Sequence, residues 1–491
     1  LNPSDLTHLD VERAPDRCAF PDPAPRKIGV EEWHARFKRV PQALIDTYRY
    51  FRDAGRTAWN AYLQPPSFFH IYGMRVLSRL AFDNGLASLR LWGFVLNEGE
   101  RLYRARQCGR KVVALMGDYG SLAPLVCSFP GLVPFYPDFQ YWTPFLGESK
   151  VLLDTAEEAG VGERCCFVRS ALAAFLRRAY FPDPALVIAS TGAVCDDLDA
   201  VAQRVQALGH PFAWFELPWR KSAHPGYRFG PECAGDPSRE EALLADGFRR
   251  AAGRLSALAG VPFDEGRLSA TLAKVERARS LIRRIRTLAL SVSPRPLPAL
   301  ELMQVEFAGP HFYADLDECL SVLEDVKETV ERRAAAGIGF GPPDASPVAW
   351  ATPPADPVLL HRLEEMGGRL AATEFMIAQS RAPLDLSRPP LEALASSFFL
   401  EASLIGNTEQ RARAFLDEAG ANGARGAVIS GLFASSHCVS ETRILRDLMS
   451  KRLDGPVLAF DVPSPGGRGL RNPVKNRLAA YMETLKRRRR T

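Results

Sequence analysis

Leu186-Val187-Ile188-Ala189-Ser190-Thr191, followed by Gly192-Ala193-Val194-Cys195-Asp196, is the stretch on which the fold turns. Leu186–Ala189 is a short apolar run with no polar alternation, the mark of a strand buried on both faces. Leu198–Leu208 then reads as a helix. Working outward, the same alternation recurs. Val112–Met116, Leu132–Tyr136 and Phe212–Leu217 read as further buried strands, with helical segments at Ala156–Gly160 and Ser170–Tyr180. Strands that alternate with helices imply a parallel sheet covered on both faces.

The pattern returns after Pro347. Val348–Ala351, Arg369–Ala372, Ala427–Ser430 and Val457–Asp461 read as strands; Leu359–Glu365, Glu409–Glu418 and Val439–Leu453 read as helices, and Lys475–Arg490 closes the chain with a helix that ends before the basic tail. Residues 30–110 show helical spacing through Trp33, Phe37, Val40, Leu44, Tyr48 and Phe51, and several helices with no sheet are expected there. The first 25 residues hold Pro3, Pro15, Pro21, Pro23 and Pro25 and read as an extended arm. The expected fold class is α/β: two Rossmann- or flavodoxin-like parallel-sheet domains with an N-terminal helical block and a helical connector. The expected divisions are 1–110 for the arm and helical block, 111–240 for the first α/β domain, 241–345 for the connector and 346–491 for the second α/β domain. The charged run Lys274, Arg277, Arg279, Arg283 and Arg284 in the connector is expected to be a solvated helix face.

Composition agrees with a multi-domain globular chain. It has 491 residues, 46% hydrophobic and 24% charged, which suits two to four domains and excludes extensive disorder. The formal charge of +5 is wholly accounted for by Lys486, Arg487, Arg488, Arg489 and Arg490, so no nucleic-acid-binding body is expected. A solvated, disordered end is expected for that tail. No run of about 18 apolar residues occurs, so no membrane span is expected. The opening residues lack the basic-then-apolar run of a signal peptide, and a cytoplasmic location is expected.

Nucleotide motifs do not carry the function. Gly337-Ile338-Gly339-Phe340-Gly341 follows a helical stretch and precedes Pro342-Pro343, which reads as a linker rather than a phosphate cradle. The chain has no G-x-x-x-x-G-K-[ST] segment, no H-E-x-x-H and no G-x-S-x-G, and its eight histidines show no zinc-like spacing.

The nine cysteines are too sparse for a disulfide scaffold. Their placement is informative. Cys195 and Cys438 each follow an expected parallel strand, one in each α/β unit, at the edge where open α/β sheets bind ligands. Cys165 and Cys166 lie between a turn and an expected helix, with Arg164 and Arg169 nearby, a setting that favours thiolate. Cys165 or Cys166, Cys195 and Cys438 are therefore candidates for one site. Three thiolates suit an iron–sulfur cluster with one open iron, or zinc. The rival reading is that they are buried and inert, as expected for Cys18, Cys108, Cys127, Cys233 and Cys319.

At these residues the chain resembles the iron–sulfur subunits of the 2-hydroxyacyl-CoA dehydratase and benzoyl-CoA reductase family, over roughly residues 110–485. Five blocks carry the resemblance, in the family's order. Gly117-Asp118-Tyr119 leads to Leu132-Val133-Pro134-Phe135-Tyr136. Glu163-Arg164-Cys165-Cys166-Phe167-Val168-Arg169 is similar to a C-S-[FY]-x-[KR] segment, and Val194-Cys195-Asp196 to a C-D pair after a strand. Val348-Ala349-Trp350 with Pro353-Pro354 precedes Gly367-Gly368-Arg369 and Thr373-Glu374-Phe375. The last block runs from Gly426 through Cys438 and Glu441 to Gly455–Asp461. Val439 stands where many dehydratase small subunits have Asp, and Ser435-Ser436-His437-Cys438 looks closer to other branches, ring reductases included.

The resemblance implies a [4Fe-4S] cluster held by Cys165, Cys195 and Cys438 in the cleft between the two α/β units. It implies a CoA-thioester substrate, an ATP-dependent activator protein as electron donor, and a paralogous second subunit. The reaction is then 2-hydroxyacyl-CoA dehydration through a ketyl radical, or benzoyl-CoA-type ring reduction. Ser436, His437 and Asp196 are candidates for cluster-adjacent or proton-transfer roles. Packing or sulfur bonding is the rival role for His437, and a turn or helix cap for Ser436 and Asp196. Two rival functions stand beside this one: a non-catalytic scaffold or partner subunit of the same fold lacking a cluster, and a zinc or small-molecule binder.

Overall fold

The apolar runs form strands because each is covered on both sides. In the computed structural model, β3 (Lys111–Met116), β4 (Leu132–Phe135), β5 (Leu186–Gly192) and β6 (Phe212–Leu217) form one parallel sheet in the order β4-β3-β5-β6. Val113 to Met116 and Leu132 to Phe135 are buried throughout, as expected of strands between helical layers. β6 is an edge strand and alternates instead, with Trp214 40% exposed. A second parallel sheet joins β7 (Ser346–Ala351), β8 (Gly368–Glu374), β9 (Ala427–Leu432) and β10 (Val457–Val462) in the order β10-β9-β7-β8. The described residues are 24–37, 79–96, 98–118, 120–137, 150–162, 168–179, 181–192, 194–218, 237–352, 357–375, 381–400, 408–432, 436–462 and 471–490.

The helices, in chain order, are α1 (Val30–Phe37), α2 (Leu86–Leu96), α3 (Glu98–Gln107), α4 (Leu122–Cys127), α5 (Lys150–Glu158), α6 (Arg169–Arg177) and α7 (Asp196–Gln206). The connector contains α8 (Pro237–Ala259), α9 (Glu265–Ser291), α10 (Ala299–His311) and α11 (Leu316–Ala336). The second half adds α12 (Val358–Glu365), α13 (Pro390–Leu400), α14 (Thr408–Ala421), α15 (Ser436–Arg452) and α16 (Arg471–Arg490). Asp264 caps α9 by accepting from the Arg267 amide at 2.6 Å, and Gly337 ends α11 in a left-handed conformation at φ 64°. The Gly337–Gly341 stretch is therefore a helix terminus and linker, as its sequence context indicates.

The connector joins the two sheets. α9 packs on α4 beside the first sheet and on β8 in the second. One apolar core runs from Val112 and Ile188 through Leu272 and Val326 to Trp350 and Val428, and a smaller cluster lies around Ala351, Phe415 and Ile429.

Three expectations are corrected. The N-terminal block is not purely helical, because β1 (Lys27–Ile28) pairs antiparallel with β2 (Phe82–Asp83); residues 38–78 lie outside the described residues. Two-residue strands are too short to show a period and arise from the tertiary pairing itself. The connector's charged run is not a uniformly solvated face: Arg279 is 2% exposed and donates to the carbonyls of Ala382 (2.9 Å) and Gly120 (3.3 Å). The basic tail is not a disordered end, since α16 stays helical to Arg490 on an inner face of Leu478, Tyr481, Met482 and Leu485.

Candidate functional site

The strand orders place the cysteines. Each sheet runs, in order of appearance, second-first-third-fourth strand. Chain direction across the sheet reverses between the first and third strands, and a crevice opens there at the carboxyl ends. In the first sheet that point lies between β3 and β5; in the second it lies between β7 and β9. Cys195 follows β5 and Cys438 follows β9, so both come after the third strand of their own sheet. The helices that begin there, α7 and α15, pack against each other.

Cys195 is the N-cap of α7, with extended backbone at φ −78° and ψ 149°. Its carbonyl accepts from the amides of Leu198 (3.0 Å) and Asp199 (3.2 Å), and its thiol is half-buried and in no disulfide. Asp196 opens the first helical turn and is exposed; the capping position belongs to Cys195. Thr191 Oγ1 donates to Asp199 Oδ2 at 3.1 Å, which ties that turn back to β5. Burial, with Asp196 nearby, pushes the Asp199 carboxyl up. Gly192 has φ +87°, and a Cβ there would lie 2.4 Å from the Leu217 carbonyl, so only glycine lets β5 leave the sheet beside β6.

Ser436, His437 and Cys438 form the first turn of α15; their side chains lie outside the described residues. Cys165 and Cys166 lie wholly outside them, and the helix after them begins at Arg169. Among the described side chains no three of His, Cys, Asp and Glu gather as a metal site, and Cys195 is the only member of the proposed triad whose side chain is described. The donor chemistry fits a thiolate-held group: two cysteines stand at the starts of two touching helices, Cys195 capping α7 and Cys438 in the first turn of α15. Of the cysteines expected to be inert, Cys127 is pushed up to about 12 by burial and Cys319 is raised well above the usual thiol value. Cys108 is exposed, contrary to that expectation, because it follows the end of α3 at the surface. Cys18 and Cys233 lie outside the described residues.

The two crevices share a backbone device. Met116 pairs with Ala189 and Ala351 with Ile429, so Gly117 and Ser190 correspond to Thr352 and Ser430. Gly117 and Thr352 both adopt left-handed φ, 81° and 65°. At Gly117 a Cβ would sit 2.4 Å from Leu198 Cδ2 and 3.3 Å from Val194 Cγ1, which shows how closely the exit of β3 meets the Cys195 loop. At Thr352 a side chain is tolerated because its hydroxyl donates to the Ser430 carbonyl. Ser430 Oγ donates to the Thr352 carbonyl (3.1 Å) and accepts from Trp350 Nε1 (2.9 Å). Ser190 Oγ is buried with no partner among the described residues.

Two residues given no role in the sequence reading belong to this region. Asp118 follows β3 at the first crevice and is fully buried. Its Oδ2 accepts from the amides of Ser121 (2.8 Å) and Leu122 and from Tyr136 Oη (3.4 Å), while Oδ1 has no partner among the described residues. Burial outweighs those hydrogen bonds and pushes its carboxyl up to about 6. An acid directly after a buried strand was the available signal. Arg411 on α14 is also buried; it bonds Glu441 on α15 and Glu374 at the end of β8. Partners that far apart in the chain leave no local signal.

Residues 130–485 match the family described as 2-hydroxyglutaryl-CoA dehydratase, D-component. The span covers the second to fifth blocks of the resemblance, with Leu132–Tyr136 of the first; Gly117-Asp118-Tyr119 precedes it. No curated protein matches the chain.

Proposed function

The chain belongs to the 2-hydroxyglutaryl-CoA dehydratase D-component family, and from that membership we propose that it is the [4Fe-4S] cluster-bearing subunit of an ATP-activated radical enzyme acting on CoA thioesters. The observation that carries the reading is the matched placement of Cys195 and Cys438 after the third strand of two sheets of one order, on helices that pack together. Cys165 completes the donor set, with Cys166 as its neighbour. When bound, the cluster supplies a low-potential electron and an iron open to a thioester or hydroxyl oxygen.

The chain's own residues do the rest. The apolar runs that lead to the two cysteines, Leu186–Ala189 and Ala427–Ile429, are buried and would restrict water around a bound cluster, which favours a low potential. Ser436 and His437, in the same helical turn as Cys438, hold or move a proton on the second-unit side; Asp196 does so on the first. ATP hydrolysis falls to a separate activator, and a paralogous subunit completes the enzyme. No described helix is long and apolar enough to cross a membrane.

Iron and acid-labile sulfide measured per chain after anaerobic purification test the reading. About four irons, lost in Cys195→Ala, are expected, with an electron paramagnetic resonance signal on reduction. An iron-free chain from an iron-replete host would overturn it in favour of the scaffold role. Assays with 2-hydroxyacyl-CoA and with benzoyl-CoA, each with a matched activator, separate dehydration from ring reduction.

A further inference from the structure

Arg411 is 1% exposed, and its guanidinium faces two carboxylates from different elements. Nη1 donates to both oxygens of Glu441, at 2.8 and 2.7 Å, and Nη2 donates to Glu374 Oε2 at 3.0 Å. Thr408 Oγ1 also donates to Glu441, at 2.8 Å. Glu441 lies on α15 one turn beyond Cys438. Glu374 ends β8 at the carboxyl edge of the second sheet, and its carbonyl accepts from the Thr352 amide at 2.8 Å. One rigid planar group therefore ties α14, the start of α15 and the sheet edge that carries Thr352.

A buried ion cluster is a poor way to gain stability, because desolvating the charges offsets their attraction, and apolar packing of equal volume does as well or better. What a planar fork on two carboxylates does supply is fixed geometry. In the first unit the corresponding helix start is tied to its strand by a neutral–acid contact, Thr191 Oγ1 donating to Asp199 Oδ2. We propose that Arg411 is a positioning residue, which fixes the first turns of α15 so that Cys438 is held in place as a cluster ligand. This rests on the reading of Cys438 given above.

The test uses the full chain carrying Arg411→Lys, Arg411→Met or Glu441→Gln. Three quantities are measured in each: iron per chain after anaerobic reconstitution, the resonance spectrum of the reduced protein, and alkylation rates of Cys438 and Cys195 in the iron-free chain, resolved by peptide mass spectrometry. Cys438 alkylation is expected to change several-fold while Cys195 stays at the parental rate. Iron retention should fall or the spectrum shift, with Arg411→Lys between the parent and Arg411→Met. A purely structural role predicts lower melting temperatures with both cysteines accelerated together, and overturns the proposal. So does a folded variant with parental Cys438 alkylation, iron and spectrum. Glu441→Gln keeps the size and one accepting oxygen while removing the charge, and it carries the test if Arg411→Met does not fold. An iron-free parent sinks the cluster reading and the ligand role with it, whatever the alkylation rates; parental Cys438 alkylation, iron and spectrum in folded variants of an iron-bearing parent sink the Arg411 proposal alone.

Discussion

Asp118 is ionised at neutral pH inside the protein, and its environment works against that charge. The carboxyl has an ordinary value of 3.8 and is raised to about 6 in the fold, with burial as the main cause. The folded state therefore holds the proton more tightly than the unfolded chain. Its contribution to stability is full below about pH 4 and is lost as pH rises through about 6. The size of that loss is up to ~3 kcal/mol. Asp118→Asn keeps an oxygen for the Ser121 and Leu122 amides and removes the charge. Urea titrations from pH 4 to 7 are expected to show the parental stability falling in that window more than the variant's; parallel curves would contradict the assignment. Glu301 adds to the same trend at slightly higher pH. Burial and the neighbouring Asp83 push it up to about 7, although its Oε1 accepts from the Asp83 amide at 2.9 Å and from Trp92 Nε1 at 3.1 Å.

A single helix, α9, shows how two faces of similar composition do different work. Lys274, Arg277 and Arg284 pair with Asp317, Glu324 and Glu331 on α11, a ladder with its basic partners about half exposed or more. Arg279 points inward and links the Gly120 loop of the first unit to Ala382 in the second half. Arg277→Ala and Arg284→Ala are each expected to cost at most ~1 kcal/mol, because solvent screens such pairs. Arg279→Ala is expected to cost about 2–4 kcal/mol, since two buried carbonyls lose their donor. Chemical denaturation of the three variants checks the ranking, and equal effects would refute it. The contrast also explains what the sequence could show. The eight strands of the two sheets were legible because sandwiched strands need unbroken apolar runs, and the carboxyl-edge placement of Cys195 and Cys438 came with them. Arg279 was misread because charge periodicity is the same whether a helix face meets water or backbone carbonyls. Its partners lie 159 and 103 residues away. Arg411 stayed silent for the same reason.

Across the whole molecule, the main core passes without interruption from the first sheet through the connector into the second. Arg286 strengthens the junction by donating to the Thr373 carbonyl at 2.9 Å and pairing with Glu306 at 3.2 Å and with Glu418. Calorimetry of the iron-free chain is expected to give one cooperative transition; two separable endotherms would show that the halves unfold independently. The small β1–β2 pair has a consequence for how the molecule is made. Lys27, in β1, pairs with the buried Glu364 on α12 and lies 3.2 Å from His361 Nδ1, across 337 and 334 residues of chain. Ribosomes add about 5–20 residues per second, so this strand is synthesised roughly 20–70 s before its anchor. The pairing of β1 with β2 needs only the first hundred residues, whereas the Lys27–Glu364 contact has to wait until about three quarters of the chain has been made.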